Sequence, residues 1–178
     1  MAPRAIMPSM ERKRGPERTP QSEAEEIARI RSVYSKRDRS HRRFPPLQDA
    51  YRRLGIERLD ATHRLLARLL PMDHPRLLDV GCGGGGDLAY LRSAGWPADQ
   101  LAGVDLIPAR LDAARVACPD VDLRLSDGSH IPFADGSMDV ATAVTVFSSI
   151  LDLDLRRALF ADSHRTGLQT AAEDQLYV

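Results

Sequence analysis

The fold is decided by the stretch Leu77-Leu78-Asp79-Val80-Gly81-Cys82-Gly83-Gly84-Gly85-Gly86, in which a short apolar segment runs into a series of glycines. An apolar helical pattern follows at residues 87–94. Strand, glycine turn and helix in this order predict a turn that a ligand can approach closely, because glycine tolerates positive φ and leaves space at the backbone. The spacing Gly81-x-Gly83-x-x-Gly86 also fits the dinucleotide-binding fingerprint, so the pattern predicts a nucleotide site without identifying the nucleotide.

The residues after the glycine run alternate between strand and helix patterns. Including the first strand, we predict four strands, at residues 76–80, 101–106, 121–125 and 139–147. Helices are predicted at residues 87–94, 108–118 and 153–160, with Leu88, Leu91, Leu111 and Ala114 facing inward. Short strands separated by helices favour a parallel sheet with right-handed crossovers. The predicted fold class is therefore α/β, a Rossmann-like parallel sheet with flanking helices.

An N-terminal helical extension is predicted before the sheet. Residues 1–21 are rich in Pro, Arg and Lys without periodicity, and we interpret them as a disordered basic arm. Residues 22–72 form a predicted cap of two helices, separated by a break at residues 41–46 that contains two prolines. The first helix would begin with a Ser22–Glu25 capping box and bury Ile27, Ile30, Val33 and Tyr34. The second would span residues 61–70 and bury Leu65, Leu66, Leu69 and Leu70.

Charge is distributed unevenly, although the 178-residue chain has no formal net charge. Residues 1–43 hold 12 Lys and Arg against 6 Asp and Glu, and the remaining residues hold 13 against 19. A basic arm of this kind is compatible with RNA as a partner. Cys82 and Cys118 lack metal-ligand or redox spacing, no apolar run reaches the roughly 18–20 residues of a membrane span, and no signal-peptide pattern is visible. We therefore expect a cytoplasmic protein without a metal site or a membrane anchor.

Two aspartates bear on the choice of nucleotide. Asp79 ends the first strand two residues before the first glycine, where a carboxylate suits a cationic ammonium group and disfavours a pyrophosphate. Asp105 ends the second strand about 20 residues after the glycine run, where an acid can accept hydrogen bonds from both ribose hydroxyls. Each aspartate could instead cap its own loop or helix. Asp105 alone fits a methyl-donor nucleoside as well as it fits a dinucleotide.

A third segment narrows the choice: Ser126-Asp127-Gly128-Ser129-His130-Ile131-Pro132-Phe133-Ala134-Asp135-Gly136-Ser137-Met138-Asp139. Its Asp-Gly pair, its apolar-Pro-Phe sequence and its Asp-x-Ser-x-Asp leading into an apolar strand resemble the adenine-side segment of class I S-adenosylmethionine-dependent methyltransferases. The stretch from Leu77 to Gly83 resembles the first motif of the same family. The resemblance covers residues 76–160, about half of the chain.

The resemblance implies S-adenosylmethionine as the cofactor and gives roles to residues of the first two motifs. Asp79 would help to hold the methionine ammonium group, directly or through water. Gly81 and Gly83 would let the ligand approach the backbone, and Asp105 would bind the ribose hydroxyls.

The resemblance also gives roles on the adenine and methyl sides of the cofactor. Asp127 would accept a hydrogen bond from the adenine amino group, with the Gly128 N–H near a ring nitrogen. Val144 and the two residues after it would border the methyl group. The catalytic residues stay unidentified, because His130 is interpreted as a solvated loop residue and the serines at 148 and 149 have no visible His or Asp support.

The C-terminal residues depart from the family pattern. Relatives continue past the last helix into a Pro-Gly-Gly turn and three further strands, whereas residues 162–178 show neither pattern. We therefore predict a cofactor-binding domain of residues 73–161 with an incomplete sheet, followed by an atypical tail. The fourth strand would have an exposed apolar edge, so self-association through it is expected. Three functions remain open: a methyltransferase acting on a small-molecule acceptor, a truncated cofactor-binding remnant without catalysis, and an NAD(P)-dependent oxidoreductase.

Overall fold

The computed structural model describes residues 20–41, 45–69 and 75–167 of the chain. Two helices precede the sheet, α1 (Pro20–His41) and α2 (Pro45–Leu69). The elements that follow are β1 (Leu77–Val80), α3 (Gly86–Ser93), β2 (Leu101–Asp105), α4 (Pro108–Ala117), β3 (Asp122–Leu125), β4 (Val140–Thr142) and α5 (Leu153–Thr166). Short 3₁₀ turns lie at Ala98–Gln100 and Phe147–Ser149. Residues 1–19 of the predicted basic arm (1–21) and residues 168–178 of the predicted tail (162–178) lie outside the described residues.

The strands form one parallel sheet in the order β3-β2-β1-β4, which confirms the predicted fold class. Leu78 of β1 pairs with Ala102 of β2 on one side and with Ala141 of β4 on the other. Every residue of β1 and β2 is buried, because helices cover both faces of the sheet. The residues predicted to face inward from α3 and α4 are buried as well: Leu88, Leu91, Leu111 and Ala114. The carboxyl ends of β1, β2 and β4 therefore meet at one edge of the sheet.

The fourth strand is much shorter than predicted. The prediction placed it at residues 139–147, whereas β4 ends at Thr142, the residue that pairs with Asp79 near the end of β1. Beyond that point the chain has little of β1 left to pair with. Thr145 adopts a left-handed conformation with φ +58°, and its carbonyl accepts hydrogen bonds from the Ser148 and Ser149 hydroxyls. The apolar, β-branched run that the sequence assigned to a strand is thus a folded loop at the edge of the sheet.

The helical cap differs from its prediction in three ways. α1 begins at Pro20, so Ser22 lies inside the first turn and the Ser22–Glu25 capping box is wrong. Val33 is 46% exposed, so the buried side of α1 is narrower than predicted. α2 begins at Pro45, and the prolines that were predicted to separate the helices lie in its first turn, where a missing N–H costs nothing.

The inward face predicted for the second helix is also partly wrong. Leu65 is 40% exposed, whereas Leu59, one and a half turns earlier, is buried. The side chains of Leu66 and Leu69 and the whole of Leu70 lie outside the described part of the chain.

Helix α5 crosses the predicted domain boundary at residue 161 and continues to Thr166, which is fully buried. The carbonyl of Thr166 accepts a hydrogen bond from the Met138 N–H (3.0 Å), just before β4. A Cβ atom built on Gly167 would lie 3.3 Å from the backbone nitrogen of Ala141, so the end of α5 lies against β4. The long apolar edge on which self-association was predicted is therefore reduced to a three-residue strand. Self-association itself stays a prediction.

Within the described residues, no helix combines the length and the apolar composition that a membrane span requires.

Candidate functional site

An open cavity of about 280 Å³ lies at the carboxyl ends of β1, β2 and β4, the edge at which open parallel sheets bind ligands. Its walls come from the end of β1, the end of β2 with the start of α4, the loops after β3 and β4, and α1. Of the residues predicted to bind the cofactor, the structure brings together Gly81, Asp105, Gly128 and Val144 in this lining. Asp79, Gly83 and Asp127 lie just outside it.

Asp105 is the buried carboxylate of the cavity wall. One of its oxygens, Oδ2, accepts a hydrogen bond from the Gly83 N–H (2.8 Å), and Oδ1 accepts one from the Ile107 N–H (2.8 Å). Asp105 therefore ties the glycine loop to the start of α4. A carboxylate has about four acceptor positions, so each oxygen can still accept a hydroxyl from a ligand in the cavity.

The glycine loop uses its own amide groups to stay folded. The Gly81 and Cys82 N–H groups both donate to the Val104 carbonyl (2.8 and 2.9 Å), and the Gly83 N–H donates to Asp105. A pyrophosphate would need amide groups of this turn as donors. These bonds occupy three of them, which disfavours a dinucleotide.

Gly81 lies against Val146, a residue of the loop after β4 that lines the cavity. Its φ is +76°, and a Cβ atom built on it would lie 2.5 Å from Cγ2 of Val146. A side chain at position 81 is therefore opposed both by the backbone conformation and by the wall of the cavity.

We expect Gly81→Ala to lower the free energy of unfolding by about 1–2 kcal/mol, because an L-residue in the left-handed region costs about that much before any repacking of Val146. The matched control is Gly86→Ala, since Gly86 is the first residue of α3 and, among the described residues, no atom beyond its chain neighbours and the backbone of α3 lies within 4 Å of its Cβ position. That control should be neutral or gain up to about 1 kcal/mol. Urea denaturation measures both changes, and equal effects would contradict the geometry of the loop.

Asp79 lies in a second, smaller cavity of about 60 Å³ that adjoins the first at Val144. Burial and, to a smaller extent, the nearby charge of Asp87 raise the pKa of this carboxyl to about 8, against the opposing effect of Arg58. Arg58 forms an ion pair with Asp87 at 2.7 Å. Among the described residues, the Asp79 side chain accepts one long hydrogen bond, from the Thr142 hydroxyl at 3.4 Å. Asp79 is therefore a buried acid that a cation would ionise.

The loop after β3 contributes Gly128 to the lining of the cavity, whereas Asp127 is outside that lining. The Oδ1 atom of Asp127 accepts hydrogen bonds from the N–H groups of Ser129 (2.9 Å) and His130 (2.7 Å). Burial opposes ionisation of Asp127, but these bonds outweigh it and the pKa is lowered. The Gly128 N–H donates to the Ser126 hydroxyl (3.1 Å). In this conformation Asp127 shapes its own loop through Oδ1.

Arg165 anchors that loop to α5. Its guanidinium donates to the carbonyls of Ile131 and Phe133 (both 3.0 Å) and pairs with Asp135 and Asp162. Asp162 in turn accepts a hydrogen bond from the Ile131 N–H and lies 3.3 Å from Nδ1 of His130. The roles of Arg165 and Asp162 were not predicted from the sequence, because both residues follow the last recognised motif.

We expect Arg165→Ala to lower the free energy of unfolding by about 1.5–3 kcal/mol, the range for hydrogen bonds to a charged group. Two loop carbonyls and the Asp162 carboxylate lose their donor in this variant. Arg157→Ala is the control on the same helix, because its ion pair with Asp154 is exposed and should contribute less than about 1 kcal/mol. Chemical denaturation compares them, and similar losses in the two variants would show that Arg165 anchors nothing.

α1 is fixed across the cavity by polar contacts with the loop after β4. Glu26 accepts a hydrogen bond from the Leu151 N–H (2.6 Å) and two from Arg29 (2.7 and 2.8 Å), which lower its pKa to about 2. Arg29 also donates to the Ser149 carbonyl (2.6 Å). The spacing of Glu26 and Arg29 is visible in the sequence, but their partners are more than a hundred residues away in the chain and were missed.

Tyr34 extends this contact over the mouth of the cavity. Its hydroxyl is 2.6 Å from the Ser149 hydroxyl, and Ser149 lines the cavity. The sequence analysis did not predict Ser149 as a residue of the site. The guanidinium carbons of Arg110 and Arg37 lie 4.4 and 5.8 Å from the centre of the Tyr34 ring. Both distances are within the range of a cation–π interaction.

Fold and site together define a Rossmann-like α/β domain with a cavity at the carboxyl ends of its strands and a buried carboxylate at the end of β2. The model of the methyltransferase domain family matches residues 78–166, half of the chain. The chain belongs to this methyltransferase domain family.

Individual relatives agree with that assignment. Trans-aconitate 2-methyltransferase of Enterobacter sp. (strain 638) is 44% identical over 70 residues, which cover 39% of this chain and 27% of the relative. Nocamycin O-methyltransferase of Saccharothrix syringae is 32% identical over 127 residues, 66% of this chain and 44% of the relative. An amino pentose methyltransferase from Micromonospora echinaspora, solved with S-adenosylmethionine bound, superposes with a TM-score of 0.56 at 28% identity over 70% of this chain and 52% of that one. The chain thus spans between about a quarter and a half of these relatives.

Proposed function

We propose that this domain binds S-adenosylmethionine and transfers its methyl group to a small-molecule acceptor. The observation that carries the proposal is the buried carboxylate of Asp105 at the end of β2, in the wall of the cavity. An acid in that position accepts hydrogen bonds from the two hydroxyls of a ribose. Leu106 and Ile107, which follow it in the same wall, offer apolar surface to an adenine ring. The residues present therefore fit an adenosine.

The methionine end of the cofactor would be held on the other side of Gly81. Asp79 supplies a carboxylate for the ammonium group. Val144 lines both cavities, so Asp79 lies next to the main cavity. Val144, Thr145 and Val146 form the wall that we assign to the methyl group. Gly83 contributes through its bond to Asp105, and Asp127 and Gly128 are assigned to the adenine.

When bound, S-adenosylmethionine supplies an activated methyl group on a sulfonium. The leaving group departs neutral, so no residue has to donate a proton to it. The domain's contribution is alignment, since an oriented acceptor reacts with an effective concentration far above that in solution. The loop after β4 and α1 form the part of the cavity in which an acceptor can be oriented.

The relatives support a small molecule as the acceptor. Their names refer to trans-aconitate, nocamycin and an amino pentose, three chemically different small compounds. The alternative of an NAD(P)-dependent oxidoreductase is disfavoured by the glycine-loop amides, which bond within the protein. A cofactor-binding remnant without catalysis stays open as the second alternative.

Calorimetric titration with S-adenosylhomocysteine and with NAD tests the cofactor. We expect saturable binding of the first and none of the second, and the opposite result would overturn the proposal. Methyl transfer from S-adenosylmethionine, followed by mass spectrometry of candidate acceptors, separates a methyltransferase from a remnant.

Three further expectations rest on the sequence alone. RNA binding through the basic arm predicts retention on immobilised RNA that falls steeply with added salt. Self-association predicts a sedimentation coefficient above that of a monomer. Cytoplasmic location predicts recovery in the cytosolic fraction.

A further inference from the structure

Two hydroxyl groups lie side by side in the wall of the cavity, one on α1 and one on the loop after β4. The Tyr34 oxygen is 2.6 Å from the Ser149 hydroxyl, and that hydroxyl donates its single proton to the Thr145 carbonyl at 2.8 Å. Since Ser149 has no second proton to give, Tyr34 is the donor in the bond between the two hydroxyls. Both side chains line the cavity. The Tyr34 oxygen is therefore left as a hydrogen-bond acceptor for a group that enters the cavity.

The surroundings of this hydroxyl pair are apolar. Tyr34 packs against a buried cluster of apolar residues, four of which also line the cavity and have no role assigned in holding the cofactor. These four residues are Ile30, Ile150, Leu155 and Leu159. Apolar pockets use a few polar groups to orient what they bind. A ligand with an apolar body and one donor group would match this part of the lining.

The same hydroxyl pair has no means of removing a proton from a ligand. If Tyr34 took up a proton, its own would have to pass to Ser149 and then to the Thr145 carbonyl, which is far too weak a base to hold it. The other ionisable side chains among the described residues of the lining are two arginines, which stay protonated, and Asp105. Asp105 accepts two backbone N–H groups and is assigned to the ribose. An alcohol loses its proton when it is methylated and so calls for a base.

We propose that the methyl acceptor is an aromatic amine and that Tyr34 orients its nitrogen by accepting an N–H hydrogen bond. This inference rests on the proposed methyltransferase function. An aromatic amine is unprotonated at neutral pH, so its lone pair is available without a base, whereas an alkylamine such as that of lysine is protonated. The aromatic ring would lie against the apolar cluster. Because the N–H bonds and the lone pair of an amine point in different directions, a fixed N–H bond also fixes the direction of attack.

The transfer balances without a base in the site. The nitrogen lone pair forms the new N–C bond to the methyl carbon, and the C–S bond breaks with its electron pair going to sulfur. The products are S-adenosylhomocysteine and an N-methylated ammonium ion, which loses a proton to water after release. The positive charge moves from sulfur to nitrogen, so the hydrogen bond that Tyr34 accepts becomes charge-assisted and is stronger in the transition state than before it.

The hydrogen bond is tested by NMR titration of the full chain, saturated with S-adenosylhomocysteine, with aniline and with toluene. The two probes have the same shape, and only aniline carries N–H groups. Tyr34→Phe should lower the affinity for aniline relative to toluene by about 3- to 10-fold, the range for a neutral hydrogen bond. It should change the affinity for S-adenosylhomocysteine by less than twofold. Tyr90→Phe is the matched control, because it removes a hydroxyl that bonds to Asp60 outside the cavity lining, and it should alter none of these affinities.

A second variant tests the direction of the hydrogen bond. Ser149→Ala removes the group to which Tyr34 donates, so the Tyr34 proton becomes available to a ligand. Anisole has an acceptor oxygen and no donor, and its affinity should rise about threefold or more in this variant. A side chain with a merely structural role would not produce this gain. An unchanged or weaker affinity for anisole in folded Ser149→Ala would overturn the assignment of Tyr34 as an acceptor.

Methyl transfer provides a separate measurement. With S-adenosylmethionine and aniline, we expect mass spectrometry to detect N-methylaniline at neutral pH. Benzylamine, an alkylamine, should react at a rate that rises about tenfold per pH unit, because only its minor unprotonated form has a lone pair. Methylation of benzylamine at a rate independent of pH would show a base in the site and overturn the proposed acceptor class.

The outcomes distinguish this inference from the proposed function. Absence of aniline binding to the S-adenosylhomocysteine complex, or equal effects of Tyr34→Phe and Tyr90→Phe, would overturn the amine acceptor and leave the cofactor site. Aniline binding that depends on Tyr34 without formation of N-methylaniline would overturn the methyltransferase function and leave the amine site.

Discussion

Asp105→Ala is expected to weaken the binding of S-adenosylhomocysteine by about 10- to 150-fold, which corresponds to the roughly 1.5–3 kcal/mol of a hydrogen bond to a charged group. The ribose would lose its acceptor in this variant. The Gly83 and Ile107 N–H groups would lose theirs as well. We therefore also expect the free energy of unfolding to fall by about 1–3 kcal/mol, because these amides become partly unsatisfied.

Two further variants serve as controls for Asp105→Ala. Asp112→Ala removes a carboxylate from the exposed face of α4 and should leave affinity and stability nearly unchanged. Asp105→Asn keeps the size of the side chain but replaces one acceptor oxygen by a donor, so it should lose affinity and stability in the same direction as alanine. Calorimetry gives the affinity and urea denaturation the stability. Normal affinity in a destabilised Asp105→Ala variant would reduce Asp105 to a structural role.

The affinity for S-adenosylhomocysteine is expected to rise about tenfold per pH unit between pH 6 and pH 8 and to level off above it. In the free protein, burial and the charge of Asp87 raise the pKa of Asp79 to about 8, so its carboxyl is protonated at neutral pH. An ammonium group held by Asp79 requires the ionised form. Binding below pH 8 must therefore release a proton, and this release becomes less costly as the pH rises. The affinity at pH 8 should be on the order of a hundred times that at pH 6.

The raised pKa of Asp79 also predicts that the free energy of unfolding of the free protein changes with pH in the opposite direction to the affinity. The folded state holds a proton on Asp79 that the unfolded state has lost above about pH 4. Stability from this group is therefore greatest at low pH and falls as the pH rises towards 8. Asp79→Asn should remove both pH dependences, whereas Asp99→Asn, on an exposed turn, should keep them. Calorimetry in buffers of different ionisation enthalpy counts the proton released. No release at pH 7 would mean that Asp79 does not face the ammonium group.

Much of the candidate site could be predicted from the chain because its residues lie in local motifs. Asp79, Gly81 and Gly83 lie within one strand–turn–helix unit, and Asp105 ends the next strand, so their grouping follows from the parallel order of β1 and β2. Their assignment to S-adenosylmethionine agrees with the structure of the similar amino pentose methyltransferase, which contains that cofactor. Their individual roles stay predictions. Asp127 illustrates the limit: its motif is recognisable, yet the rotamer that bonds to its own loop depends on amides that no motif specifies.

Sequence patterns were enough to predict the family, the α/β class, the four strands and the glycine turn, because strand and helix periodicity and glycine placement are local properties. The other features depend on contacts between distant segments. β4 ends at Thr142, where β1 offers little further backbone to pair with, although the β-branched residues beyond it favour a strand. α1 covers the cavity because Glu26 and Tyr34 bond to residues 149–151. Arg165 fixes the loop after β3 from α5, a helix that was predicted to end at residue 160. Each of these contacts joins segments far apart in the chain, and such pairings depend on how packed elements meet rather than on the local pattern of either segment.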